Sequence, residues 1–285
     1  MPRKRQMFIR GLEAARQYII DEDPGYVCPM CFEIFRKHDE LTCEHVPPRA
    51  LGGKVLCLLC RSCNSKAGHS IDAAVHERYE AARALRTGSS QRFLQLKVGD
   101  LSINATLKRV ENTIDLRLAA KHNKPASASQ FMSQIHAPIP GTQFHVWYPN
   151  RFNDHFALVG YLKIAYLYAF AKFGYGYILQ HGLDSVRAQL RDPKTRKIWK
   201  WWLRRKENKD KTILYLLDQP VNCLAVAIDE HLIVLPSLME PHDEYEKIEE
   251  LTKDTGPDDF LGDFHYTHAF EAPNKMELLC DGTSA

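Results

Sequence analysis

The sequence predicts an α+β protein in two parts: a small N-terminal module stapled by cysteines, then a larger mixed domain built round one hydrophobic helix. Three observations predict it. Two Cys-x-x-Cys pairs, Cys28/Cys31 and Cys60/Cys63, fall within residues 28–63, too short a stretch to own a core. Residues 155–173 are hydrophobic almost all round, as a fully buried helix is. Residues 91–118 and 212–235 alternate apolar and polar positions in short runs separated by turn residues, which marks strands.

Composition bounds the function classes. The 285 residues are 45% hydrophobic, which suits a globular chain and excludes general disorder. A formal charge of +3 is too small to imply a partner, so the distribution of charge matters more. Six of the eight cysteines lie between Cys28 and Cys63, leaving Cys223 and Cys280 far apart. Paired Cys-x-x-Cys units in a long chain favour a metal over a disulfide framework, so a reducing, cytoplasmic setting is expected. The opening MPRKRQMFIRGLEAARQ has charge and no apolar core, which is not the form of a secretory signal. Lys163 and Lys172 interrupt the most apolar run, and no membrane span is expected.

In chain order, Phe8, Leu12, Ala15 and Ile19 share one face of a predicted helix behind the basic tip Arg3-Lys4-Arg5, which reads as a solvated terminus or a phosphate contact. Asp23-Pro24-Gly25 breaks it. Pro47-Pro48 and Gly52-Gly53 forbid a long helix in the cysteine module, which should hold a knuckle and short strands. Helical spacing returns with Ile71, Val75, Tyr79 and Ala82 and stops at Thr87-Gly88-Ser89-Ser90, a linker. The expected domains are therefore residues 1–88 and 89–285. Residues 91–118 should form a strand meander, residues 121–140 a loop with a short helix, and residues 144–148 a strand. A helix over residues 184–190 follows the central one, and three strands fit residues 212–217, 223–228 and 232–235. Residues 187–211 carry eleven Lys or Arg against three acids, with Trp199, Trp201 and Trp202 interleaved. That stretch either grips a phosphodiester backbone and stacks on bases, or is a helix with buried tryptophans and a wet face. Residues 240–263 reverse the sign, with ten acids against Lys247 and Lys253.

The chemistry concentrates between Cys28 and Asn64. Four thiolates can close a tetrahedral zinc site, and a Glu-His pair with an asparagine has the parts of a hydrolytic site that uses a hard cation. The segments CPMC, TCEHVPP, LGG and CLLCRSCN, in that order, resemble the zinc-knuckle branch of HNH endonucleases, whose fold is called ββα-metal. The likeness covers about residues 27–85. The later LVGYLKIAYLYAFAKFGYGYI is a weaker likeness to a helix found in larger proteins that carry this module.

The resemblance implies roles by position. His45 would be the general base, a neutral imidazole that takes a proton from water, with an ordinary polar turn residue as the alternative. Glu44 and Asn64 would ligate one Mg²⁺ or Mn²⁺, although Asn64 also suits a helix cap. Cys28, Cys31, Cys60 and Cys63 would hold a structural zinc. Cys57 and Cys43 lie close enough in sequence to compete, but Asn64 must follow the knuckle, which favours Cys60/Cys63 and makes Cys57 an apolar filler. Arg61, Lys66 and His69 are candidate phosphate or metal contacts, and Asp72 is expected in a salt bridge. One departure matters: the family's central asparagine would fall near Val55, and valine cannot orient the base by hydrogen bonding.

The expected activity is endonucleolytic hydrolysis of phosphodiester bonds in nucleic acid, with DNA the expected substrate and restriction or anti-phage defence the expected setting. Pairing of two chains as a homodimer, to cut both strands, stays open. The alternative is a zinc-knuckle nucleic-acid-binding protein that has lost hydrolysis. A protein-interaction adaptor stabilised by zinc is a third reading.

Overall fold

The computed structural model describes residues 2–19, 23–87, 92–110, 113–137, 145–147, 153–204, 211–254 and 264–277. Along the chain these form α1 (Pro2–Ala15), β1 (Tyr26–Val27), β2 (Ile34–Phe35), β3 (Leu41–Val46), β4 (Lys54–Cys60), α2 (Arg61–His69) and α3 (Ile71–Thr87). Next come β5 (Arg92–Val98), β6 (Leu101–Val110), β7 (Thr113–Leu118), α4 (Pro125–His136) and β8 (His145–Trp147). The rest comprises α5 (Asp154–Phe173), α6 (Tyr175–Ile178), α7 (Asp184–Arg191), β9 (Trp202–Arg204), β10 (Ile213–Gln219), β11 (Cys223–Ile228), β12 (His231–Leu235), α8 (Glu244–Leu251) and β13 (His265–Glu271). The linker expected after Thr87, the end of the acidic stretch and Cys280 lie outside the described residues.

Two compact units divide the chain differently from a cut at residue 88: Met1–Val75 groups with Asp154–Ala285, and His76–Asn153 stands as the second unit. The grouping has a visible cause. Three tyrosine hydroxyls from α5 and α6 donate to backbone carbonyls of the cysteine module: Tyr166 to Pro29 at 2.6 Å, Tyr175 to Val27 at 2.6 Å, and Tyr168 to Val46 at 3.2 Å. From α7, Arg191 donates to the carbonyls of Met30 and Cys31, both at 3.2 Å. A buried carbonyl needs a donor, and Pro29, Met30 and Cys31 lie in the turn between β1 and β2, outside any strand ladder.

In the first unit, β13-β10-β11-β12-β9 form an antiparallel sheet. Both faces of β11 and β12 are buried. Strand alternation explains this: Leu224, Val226 and Ile228 join the core that contains α5, whereas Cys223, Ala225 and Ala227 join a second core closed by Ile248 of α8. The helix α5 is long and apolar enough to cross a membrane, yet 78% of its apolar window is buried inside the protein. It is the spine of the unit, as its all-round hydrophobicity predicts.

The basic tryptophan-rich segment opens as the end of α7, residues 192–201 are irregular, β9 follows, and residues 205–210 lie outside the described residues. Trp201 is core, 1% exposed, with its indole N–H donating to the Leu158 carbonyl at 3.3 Å. Trp199 is 68% exposed, and the Arg196 guanidinium lies 5.3 Å from its ring centre. The tryptophans therefore differ: Trp201 is core, and Trp199 is exposed beside a guanidinium.

In the second unit, β7-β6-β5-β8 form an antiparallel sheet with α4 packed on β6. Leu94, Leu96, Val98, Ile103, Ala105 and Phe131 are its core. The meander lies where the alternation placed it. The short helix expected in residues 121–140 is a twelve-residue helix with Pro125 in its first turn, where proline costs no hydrogen bond.

Candidate metal centre and hydrolytic site

The metal centre is built from two turns. The strands β1 and β2 pair antiparallel, and Phe32, at φ 63°, closes the loop between them by donating its N–H to the Cys28 carbonyl at 2.8 Å. The second turn is the start of α2, where Cys60 is the N-cap and its sulfur accepts from the Cys63 N–H at 3.3 Å. The Cys60 N–H in turn points at the Cys28 sulfur, 3.4 Å away. Amides aimed at sulfur favour thiolate over thiol.

These turns bring the sulfurs of Cys28, Cys31, Cys60 and Cys63 within 4.8 Å of one another. A zinc–sulfur distance of about 2.3 Å sets tetrahedral sulfurs about 3.8 Å apart, and Cys31 Sγ lies 3.8 Å from Cys60 Sγ. The donor set therefore fits a structural zinc. Cys57 is fully buried on β4 and stays out of the cluster.

The hydrolytic candidates sit on the hairpin β3–β4 and on α2. Glu44 is opposite Cys57 and His45 opposite Val55, so β4 carries one extra residue, Leu56, against the Glu44–His45 step. His45 is half-buried, and its pKa lies below the ordinary value, first through burial and then through the charges of Arg49 and Arg3. Arg3, from the basic tip, donates to the Val55 carbonyl at 3.1 Å, directly across the ladder from His45.

Asn64 links α2 to the hairpin. Its amide nitrogen donates to Thr42 Oγ1 at 2.8 Å and to the Cys43 carbonyl at 3.5 Å. Thr42 and Glu44 are two residues apart on one strand and share a face, so Asn64 stands on the Glu44 side of the hairpin. Arg61 is exposed and donates to the Asp39 carbonyl at 3.0 Å. Lys66 and His69 are exposed on α2, and His69 lies roughly 140° round the helix from Asn64. Among the described residues no hydrogen bond or ion pair joins any two of His45, Glu44, Asn64, Lys66 and His69.

Glu44 departs from its expected role. Its side chain is 5% exposed, and Oε1 lies 2.6 Å from the ammonium of Lys163, on α5. The same ammonium reaches Asp72 Oδ2, on α3, at 2.7 Å, so Asp72 is in the salt bridge its sequence context implied. Burial pushes the Glu44 carboxyl up against the opposing pull of Lys163. Burial also works against the Lys163 charge, but two facing carboxylates outweigh it, and its pKa lies above the ordinary value. The expected Glu44–Asn64 ligand pair does not fit a divalent cation here, because the carboxylate already faces a cation of the chain, although the Asn64 bonds engage only its amide nitrogen and leave its oxygen out of them. Val55 packs its side chain against the core and offers His45 no side-chain hydrogen bond.

Sequence reasoning missed the role of Lys163, whose signal was a lysine in the middle of an otherwise apolar helix; it offered the basic tip as a phosphate contact without placing Arg3 beside His45.

Against known proteins, residues 28–80 match the model of a family described as HNH endonuclease. No curated protein and no solved structure matches the chain. The chain carries an HNH module at its N-terminus, in a mixed α+β protein whose four-cysteine cluster fits zinc.

Proposed function

We propose, with the HNH module of residues 28–80 as premise, that the protein hydrolyses phosphodiester bonds in nucleic acid, with DNA as the substrate. The observation that carries the reading is His45, a half-exposed imidazole beside a strand bulge, whose pKa is lowered by burial and then by Arg49 and Arg3. In the reaction a water oxygen bonds to phosphorus, the bond to the leaving 3′-oxygen breaks, and the water proton passes to His45. Arg49 and Arg3 supply positive charge near the phosphate, where negative charge builds up. The zinc on Cys28, Cys31, Cys60 and Cys63 is structural, since four thiolates leave no open position. Divalent metals serve HNH nucleases as Lewis acids on the phosphate, and no step here is routed through Glu44.

A second reading, nucleic-acid binding without cutting, is favoured by the Glu44–Lys163 pair and by Val55. Incubating plasmid and oligonucleotide DNA and RNA with the pure protein, with Mg²⁺, Mn²⁺ or chelator, separates the two. The nuclease reading expects cutting that falls about 10²- to 10⁴-fold in His45→Ala. Cutting that survives this substitution removes His45 as the base. Salt-sensitive retention of DNA without cutting selects the second reading. A role in anti-phage defence, inside the cytoplasm, is the biological setting we attach to the nuclease reading. Its test is phage plating on cells with the protein or His45→Ala.

A further inference from the structure

We infer that Lys163 is the resident cation of the HNH module: its ammonium, held between Glu44 and Asp72, takes the place that a divalent ion on Glu44 would need. The inference goes beyond the nuclease reading and concerns what the site binds, whether or not the protein cuts.

The geometry is specific. Lys163 Nζ is 2.6 Å from Glu44 Oε1 and 2.7 Å from Asp72 Oδ2, and the lysine side chain is 1% exposed. A lysine with a four-carbon stem normally carries its charge to water. This one is brought in from α5 to meet two carboxylates on β3 and α3. One ammonium against two carboxylates leaves a net charge of −1, and Asp72 Oδ1 is buried with no hydrogen-bond partner. The ammonium thus engages one oxygen of each carboxylate, and Glu44 meets it at its closest contact. A second, doubly charged ion on Glu44 would sit within a few ångströms of the ammonium, in a place that water hardly reaches.

The approach is built into the backbone. Gly160 lies one helical turn before Lys163 on α5, and a Cβ there would overlap Val75 Cγ2 and come within 2.8 Å of the Ile71 carbonyl oxygen. The missing side chain lets α5 close on α3 at the point where Lys163 must reach Asp72. Close helix approach and the ion triad thus belong to one arrangement.

The experiment measures metal binding by the zinc-loaded full chain without nucleic acid, using Mn²⁺ and the loss of its free-ion electron paramagnetic resonance signal. The expected result is that wild type and Glu44→Gln bind Mn²⁺ with affinities within twofold of each other. Lys163→Met, checked for zinc content and circular dichroism, should gain at least tenfold in Mn²⁺ affinity, and Lys163→Met/Glu44→Gln should lose that gain. A wild-type Mn²⁺ site weakened tenfold or more by Glu44→Gln overturns the inference, and this comparison needs only an isosteric variant. Failure to cut nucleic acid would remove the nuclease reading and leave the binding result untouched.

Discussion

Removing the Lys163 ammonium perturbs a buried charge held between two carboxylates of the first unit. At an effective dielectric of about 20, charges 2.6 and 2.7 Å apart attract by roughly 6 kcal/mol for each pair. Burial of all three groups cancels most of that, since Glu44 is 5%, Asp72 13% and Lys163 1% exposed. The consequence is an asymmetry. Lys163→Met leaves two buried carboxylates facing each other and should cost about 3–5 kcal/mol, or roughly 10 °C in Tm. Glu44→Gln keeps the Lys163–Asp72 pair and should cost about 1–3 kcal/mol. In Lys163→Met/Glu44→Gln one source of repulsion is gone, so the double variant should be more stable than the sum of the singles by about 2 kcal/mol. Urea unfolding of the zinc-loaded protein, followed by circular dichroism and by the fluorescence of its four tryptophans, gives these values. A coupling below about 0.5 kcal/mol would show that the three groups do not share one electrostatic site, and the account of Glu44 would fall with it.

Two further outcomes follow from local geometry. In the module, Gly53→Ala should prevent correct closure of the hairpin, because a Cβ there overlaps the Pro47 carbonyl oxygen, whereas Gly68→Ala, with open space around it in α2, should stabilise by about 0.5–1 kcal/mol; zinc content and Tm of the two variants make the comparison. His155, at the start of α5 with its ring centre 5.9 Å from that of Trp201, has a pKa below the ordinary 6.5, first through burial and then through Arg196. The unfolded chain therefore binds the proton more readily, so stability is present above pH 6.5 and is lost as pH falls from there through the folded value. His155→Phe should flatten this acid limb in Tm measured across pH 4–8, and an unchanged limb would assign it to other groups.

What the sequence disclosed tracks how local each cause is. The zinc set was legible because Cys-x-x-Cys spacing and the asparagine after Cys63 are features of two tight turns. The strands β5 to β7 and the buried α5 were legible from period and length. The role of Glu44 was not, because its partner is on α5, far along the chain, and a lysine in an apolar helix looks like an interruption until the carboxylates facing it are known. The same holds for the units: the hydroxyls of Tyr166 and Tyr175 read as apolar bulk in sequence, while in the fold they satisfy carbonyls of the cysteine module and join residues 154–285 to it. The tryptophans divided for a related reason. Both precede β9 in an irregular segment with no period to read, and it is tertiary packing that turns Trp201 inward and leaves Trp199 outside.

The grip of α5 and α7 on the zinc knuckle also orders events during synthesis. A ribosome releases the four cysteines, and then the whole of residues 76–153, before Lys163, Tyr166 and Arg191 exist, at roughly 5–20 residues per second. Until then Glu44 has no ammonium and the carbonyls of Val27, Pro29 and Met30 have no donors from the later helices. The nascent module can collect its metal early, yet it acquires its final interior only when the polypeptide returns to it.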